Sequence, residues 1–204
     1  MEPFIHGVIL AFGLILPLGV QNVFVFNQGA THSRFFQALP AVITAAICDT
    51  MLIALAVGGV SVVVLSFAGL RQVLFLAGFF FLLYMGWVMW KSNPVKEKNT
   101  QQFSTKRQIT FALSVSLLNP HAILDTIGVI GTGSLVYDGL EKLVFALACI
   151  LISWLWFIGL ALTGRIVGRY DQNGIFLKRL NQLSAVIIWV MAVYIGYQFL
   201  NGIS

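Results

Sequence analysis

Asp49 and Asp125 are the two formal charges that lie in the middle of apolar stretches of this 204-residue chain. A carboxylate at the centre of a membrane helix costs roughly 2.5–3.5 kcal/mol on insertion scales. The usual remedy is a Lys or Arg in a neighbouring span. Here every Lys and Arg falls between the apolar stretches or at their ends. Two fates remain for the pair. The aspartates are protonated when empty, or a cation from outside the fold completes them. A carrier of a basic solute would use both states in turn. The plainer alternative is a protonated Asp bonded to a neighbouring helix, with Thr50 and Thr126 adjoining the two sites.

A second kind of chemistry comes from two interruptions, Pro17-Leu18-Gly19 and Asn119-Pro120. Proline removes a helix donor and clashes with the preceding turn, and it pushes the residue before it out of the helical region. A broken helix exposes free N–H groups at the start of its second half. That end carries partial positive charge and suits a carboxylate. The expected starts lie near residues 18–21 and 121–123, and an ordinary proline kink is the alternative. An amino acid such as arginine carries a carboxylate and two cationic ends. The helix starts would hold the first, Asp49 and Asp125 the others, and Gln21 and Asn22 would add neutral hydrogen bonds. A guanidinium suits a carboxylate because its donors form a planar fork. His121 follows the second break and would either relay protons or bond backbone at a helix start. Thr126, Ser153 and Trp154 are further candidates around the site, and Trp154 with Trp156 and Phe157 either walls a cavity or packs against apolar neighbours.

These residues need helices in lipid to position them. Hydrophobic residues make up 59% of the chain, and only 9% are Asp, Glu, Lys or Arg. A water-soluble domain carries about 25% charged residues, so lipid must cover much of this surface. Six runs reach the roughly 20 residues that a helix needs to cross a bilayer: 4–26, 37–60, 70–90, 109–131, 142–164 and 182–201. In lipid the backbone must satisfy its own hydrogen bonds, so the expectation is an all-α integral membrane protein with six transmembrane helices. The chain reads as one transmembrane domain over 1–204, with a polar loop at 91–108.

Arg34, Lys91, Lys96, Lys98, Lys106, Arg107, Arg165, Arg169, Lys178 and Arg179 fall on one side of such a topology, and Arg71 and Lys142 on the other. The positive-inside rule makes the first group cytoplasmic and both termini external. The net charge of +5 is thus loop charge. The aromatics lie away from it, which argues against nucleic acid. The start of the chain lacks the basic residues of a cleavable signal, so the first run is expected to be retained. Cys48 and Cys149 lie deep in apolar runs without metal-type spacing and read as small apolar fillers.

The halves resemble each other. Pro17 precedes Asn22 by five residues, as Pro120 precedes Asp125. LIALAVGG (52–59) matches FIGLALTG (157–164), and YMGW (84–87) matches YIGY (194–197). The offsets are 103, 105 and 110. Three spans per half would place the repeats, about 4–90 and 109–201, in opposite orientations, a common plan for secondary transporters.

Along nearly its whole length the chain resembles the LysE-type amino-acid exporters. The stretches that carry the likeness are LPLGVQNVFVFNQG (16–29), CDT (48–50), LNPHAILDT (118–126) and SWLWFIGLAL (153–162). The resemblance implies efflux across the bacterial cytoplasmic (inner) membrane. An aspartate after the Asn-Pro motif is similar to the lysine and arginine branch. It marks Gly19, Gln21, Asn22, Asp49, Asn119, Pro120 and Asp125 as site residues. One departure is Val20, where the family commonly has proline.

The function expected is therefore export of a small cationic amino acid by alternating access, with Asp49 or Asp125 exchanging substrate for protons. No enzyme activity, cofactor or resident metal is expected, and assembly as a homo-oligomer is left open. Export of neutral amino acids or of divalent metal cations is the alternative. A metal site from Asp49, Asp125, His121 and Cys48 would lack the paired His or Cys spacing that transition metals favour. An aspartyl protease would need the two carboxylates to share a proton. A membrane scaffold would leave both aspartates unexplained.

Overall fold

A computed structural model describes residues 1–16, 19–32, 34–60, 68–92, 103–171 and 173–201. Among these the regular elements are helical. The first apolar run divides into α1 (Glu2–Ile15) and α2 (Val20–Thr31), whose axes differ by 80°. Pro17 and Leu18 lie outside the described residues. Gly19 caps α2 in an extended conformation, φ −78° and ψ 174°.

α3 (Leu39–Leu55) starts with Pro40 in its first turn, where a missing N–H costs nothing. It runs on through wider turns at Ala56–Val60, where Gly59 adopts φ 94°. α4 spans Ala68–Lys91. α5 (Thr105–Leu117) is capped by the Ser104 hydroxyl, which accepts from the Arg107 N–H at 3.4 Å. The fourth run then breaks as expected: α6 is Pro120–Asp125, with Asn119 extended before it, and Thr126–Gly131 continues in wider turns. α7 (Gly139–Tyr170) is longer than the run that announced it. α8 is Ile175–Asn201, and the Asp171 carboxylate accepts from the N–H groups of Phe176 and Leu177 at 3.3 and 2.9 Å.

Leu39–Gly59, Gly139–Tyr170 and Ile175–Tyr194 are each long and apolar enough to cross a bilayer, and the bent α1–α2 pair supplies a fourth candidate. Large side chains such as Ile9, Met51, Leu140 and Val193 stand exposed on these helices. Water does not tolerate so continuous an apolar surface, whereas lipid does. This is a multi-pass membrane protein.

α2 occupies the centre. All twelve of its residues are buried, including Gln21, Asn22, Asn27 and Gln28. Those amides would be costly against hydrocarbon, so the polar helix is the one the others surround. α7 packs along both α1 and α2, and α4 lies against α8. The α2–α7 contact is backbone on backbone. A methyl on Gly164 would meet Phe26 and Ala30, and one on Gly29 would meet Ala161. Small residues permit this closeness in membrane proteins generally. At the far end of α2, Asn27 donates to Asn181 of α8 at 2.7 Å, and Asn181 donates to Ser92 beyond α4 at 2.9 Å. Both cysteines are buried and unbridged.

Candidate functional site

The break before α2 has a local cause. α1 ends at Ile15, and Asn22 Nδ2 donates to the Ile15 carbonyl at 2.7 Å. Asn22 Oδ1 accepts from the Trp156 indole of α7 at 3.3 Å. One face of the break is thus pinned by an amide. Asn22, expected to bind substrate, spends these two groups on the bend.

The helix starts and the aspartates meet. A cavity of about 190 Å³ is lined by Gly19, Gln21, Asn22, Asp49, Asn119, Asp125 and Thr126, with apolar walls from Leu82, Phe157, Ile188 and Met191. Seven of the sequence-selected residues therefore share one space at the junction of α2, α3 and α6. Pro120 opens α6 as the sequence suggests, while its side chain and that of His121 lie outside the described residues. Trp154 is not in the lining; its indole donates to Thr50 at 3.1 Å and joins α7 to α3.

Asp49 is held from two sides. Gln21 Nε2 of α2 donates to Oδ1 at 3.1 Å, and Ser153 Oγ of α7 donates to Oδ2 at 2.9 Å. Ser153 is fully buried. Among the described residues no Lys or Arg lines the cavity. Asn119 is buried, and its Oδ1 has no hydrogen-bond partner among the described residues. Such an orphan acceptor is costly unless something brings it a donor. Among the described residues no three His, Cys, Asp or Glu side chains gather as a metal would require.

Of the apolar walls, sequence reasoning named Phe157 alone. Leu82, Ile188 and Met191 come from α4 and α8, and nothing in their type separates them from lipid-facing neighbours. The role of Gln21 as a partner of Asp49 was equally hidden, since the two residues are 28 positions apart.

With this geometry stand the comparisons with known proteins. LysE type translocators match residues 12–199. YisU of Bacillus subtilis (strain 168), a candidate amino-acid transporter, is 55% identical over 197 residues, covering 96% of this chain and 90% of YisU. The arginine exporter protein ArgO of Pectobacterium carotovorum subsp. carotovorum (strain PC1) is 30% identical, over 95% of this chain and 96% of that protein. The arginine exporter protein ArgO of Salmonella typhi is 32% identical, over 93% and 90%. No solved structure matches.

Proposed function

The chain belongs to the LysE type translocators, amino-acid transporters of the membrane, and from that premise we propose that it exports arginine or lysine across the bacterial cytoplasmic membrane in exchange for protons. The observation that carries this reading is the cavity itself. Two aspartates from different halves of the sequence line it together with two broken-helix starts, and among the described residues no Lys or Arg lines it with them. A basic amino acid is complementary to that set. Its carboxylate fits the helix starts and its cationic groups fit the carboxylates. The relatives named as arginine exporters support the choice of substrate and of direction.

Moving a cation outward against an inside-negative potential costs about 2.3 kcal/mol per charge per 100 mV. Exchange of one proton inward for one monocation outward cancels that charge movement. An aspartate that binds either one performs the exchange without further parts.

Six membrane spans arranged as two inverted three-helix halves complete the proposal. Two hydrogen bonds speak for the inverted arrangement. Asp49 to Ser153 and Thr50 to Trp154 each join residues 104 positions apart, close to the offsets of 103 to 110 between the halves. Near a two-fold axis, residues of one half touch their own counterparts. The packing of α4 on α8, the last long helix of each half, fits the same axis.

The test is flux of labelled arginine in liposomes with and without a pH gradient, with lysine, a neutral amino acid and Cd²⁺ as competitors. Gradient-dependent flux that lysine inhibits and Asp125→Asn abolishes is expected. A folded preparation that moves neither arginine nor lysine would overturn the substrate assignment.

A further inference from the structure

A buried polar seam leads out of the cavity along α2. We propose that this seam, between α2 and α5, is the route by which the cationic solute reaches the cavity from the cytoplasm, that Gln28 and Gln108 accept hydrogen bonds from it on the way, and that Phe103 is the plug that shuts the route in this structure. This rests on the reading of the cavity as a basic amino-acid site.

Gln21, Gln28 and His32 are spaced by seven and four residues, which puts them on one face of α2 and its C-cap. Gln21 lines the cavity and His32 ends the helix. At 1.5 Å per residue the eleven steps between them cover about 16 Å, half of the ~30 Å hydrocarbon core. That is the distance from the midplane, where transporter sites lie, to one membrane surface. The positive-inside rule makes that surface cytoplasmic, with Lys106 and Arg107 in the first turn of α5 beside it. α5 runs back along the seam. Gln108 meets His32, Phe111 meets Phe24 midway, and Asn119 beyond the end of α5 lines the cavity.

The seam is buried and short of donors. Gln28 and Gln108 are 3% and 1% exposed. Among the described residues neither Oε1 has a hydrogen-bond partner, and Asn119 Oδ1 at the cavity end is in the same condition. Every buried side-chain atom in that condition, among the described residues, is an oxygen. Leaving such acceptors unmet is costly. An ammonium or a guanidinium carries donors only, so a cationic solute brings what the seam lacks. An acidic solute would bring more acceptors.

One amide holds the cytoplasmic end shut. Gln108 Nε2 donates to the carbonyl of Gln37, ahead of α3, at 2.9 Å and to that of Phe103, ahead of α5, at 3.0 Å. It also lies 3.3 Å from Nε2 of His32. Three segments are thus tied at one point. The tie fixes Phe103 with its ring against Phe24 and Phe111, at centroid distances of 6.2 and 6.0 Å, while Phe24 and Phe111 stand 4.4 Å apart. The Arg107 guanidinium covers the Phe103 ring at 4.4 Å. Phe24 sits between Gln21 and Gln28 on the same helix face, so the three rings stand across the line from surface to cavity. Turning the Gln108 amide so that Oε1 accepts from an arriving cation takes its nitrogen away from the Phe103 carbonyl. Arrival of the solute and release of the plug are one rotation.

The test is labelling with a membrane-impermeant trimethylammonium thiol reagent in membrane vesicles of either orientation. Gln28→Cys is expected to react from the cytoplasmic face, above the wild-type background and more slowly than His32→Cys nearer the surface. Val23→Cys, on the opposite face of α2 and 1% exposed in the native chain, should not react. Phe103→Ala and Gln108→Leu should each raise the Gln28→Cys rate by about tenfold, the shift in open population that one or two lost hydrogen bonds or a lost ring would give. Thermal unfolding of each variant beside wild type reports folding, and His32→Cys with Phe103→Ala carries the test if Gln28→Cys does not fold. Reaction from the external face only, or none even with Phe103→Ala, overturns the route. Equal labelling of Val23→Cys overturns it as well, because the helix would then be loose on every side. Rates unmoved by Phe103→Ala and Gln108→Leu overturn the plug. A wild type that moves neither arginine nor lysine overturns only the basic amino-acid reading, since the labelling needs no substrate.

Discussion

Gly164→Ala should be among the most damaging single-methyl changes in this protein. A Cβ at that position would lie 2.9 Å from the Phe26 carbonyl carbon and 3.3 Å from the Ala30 nitrogen, closer still to the Phe26 oxygen. All three are backbone atoms of α2, so no side chain can swing aside. The helices would have to part along a seam where Gly29 and Gly168 are also in backbone contact with the facing helix. Overpacking costs about 1–3 kcal/mol where side chains adapt, and sometimes more. With rigid backbone on both sides we take about 3 kcal/mol. For a chain of this size each kcal/mol moves the unfolding midpoint by about 2–4 °C, which gives a fall of about 6–12 °C. Gly159, five residues earlier on the same helix, has no heavy atom within 4 Å of the added methyl. Gly159→Ala should therefore be neutral or stabilising by up to about 1 kcal/mol, through helix propensity alone. The assay is thermal unfolding of both variants in one detergent. If the two midpoints agree within about 2 °C, the seam is looser than the geometry requires and the reasoning fails. The functional consequence is also specific. α2 carries Gln21 and α7 carries Ser153, so parting the helices pulls the two partners of Asp49 in opposite directions.

Three other outcomes follow from the packing. Asn22→Ala strands the Ile15 carbonyl and the Trp156 indole; a loss of about 1–3 kcal/mol per unsatisfied group should appear as a lower unfolding midpoint, and an unchanged midpoint would mean that water replaces the amide. Asn181→Ala removes the link from α2 to Ser92 and should cost a similar about 1–3 kcal/mol. Cysteine placed at Lys106 should react with a membrane-impermeant thiol reagent only from the cytoplasmic side, and cysteine at the 80% exposed Leu140 only from outside. The native Cys48 and Cys149 are buried and should stay silent in the same labelling.

Much of the site was legible because its residues are anomalous where they stand. Asp49 and Asp125 are expensive in an apolar run, and Pro17, Gly19 and Pro120 are disruptive in a helical one. Anomalies that are costly and retained call for a compensating geometry, and the cavity supplies it. The helices were less legible at their ends. The apolar run 4–26 conceals an 80° bend, and its second helix extends to Thr31 through polar residues that hydropathy would place outside the membrane. Trp154 was readable as a cavity wall, yet its indole reaches Thr50 instead. No feature of its type or spacing could have said which neighbour its N–H would find.

By itself the sequence determined that this chain lives in lipid, because 9% charged residues cannot coat a water-facing surface. It also determined where the backbone must break, since proline's missing donor and fixed ring act locally. Tertiary structure decided which polar groups meet. Gln21, Asp49 and Ser153 stand 28 and 104 residues apart in the two bonded pairs, and only the crossing of three helices brings a donor to each oxygen of one carboxylate. Tertiary structure also decided that polar α2 sits at the centre. A helix carrying four buried amides can avoid hydrocarbon only by being surrounded, and the glycines of α2 and α7 let its neighbour come close enough to do so.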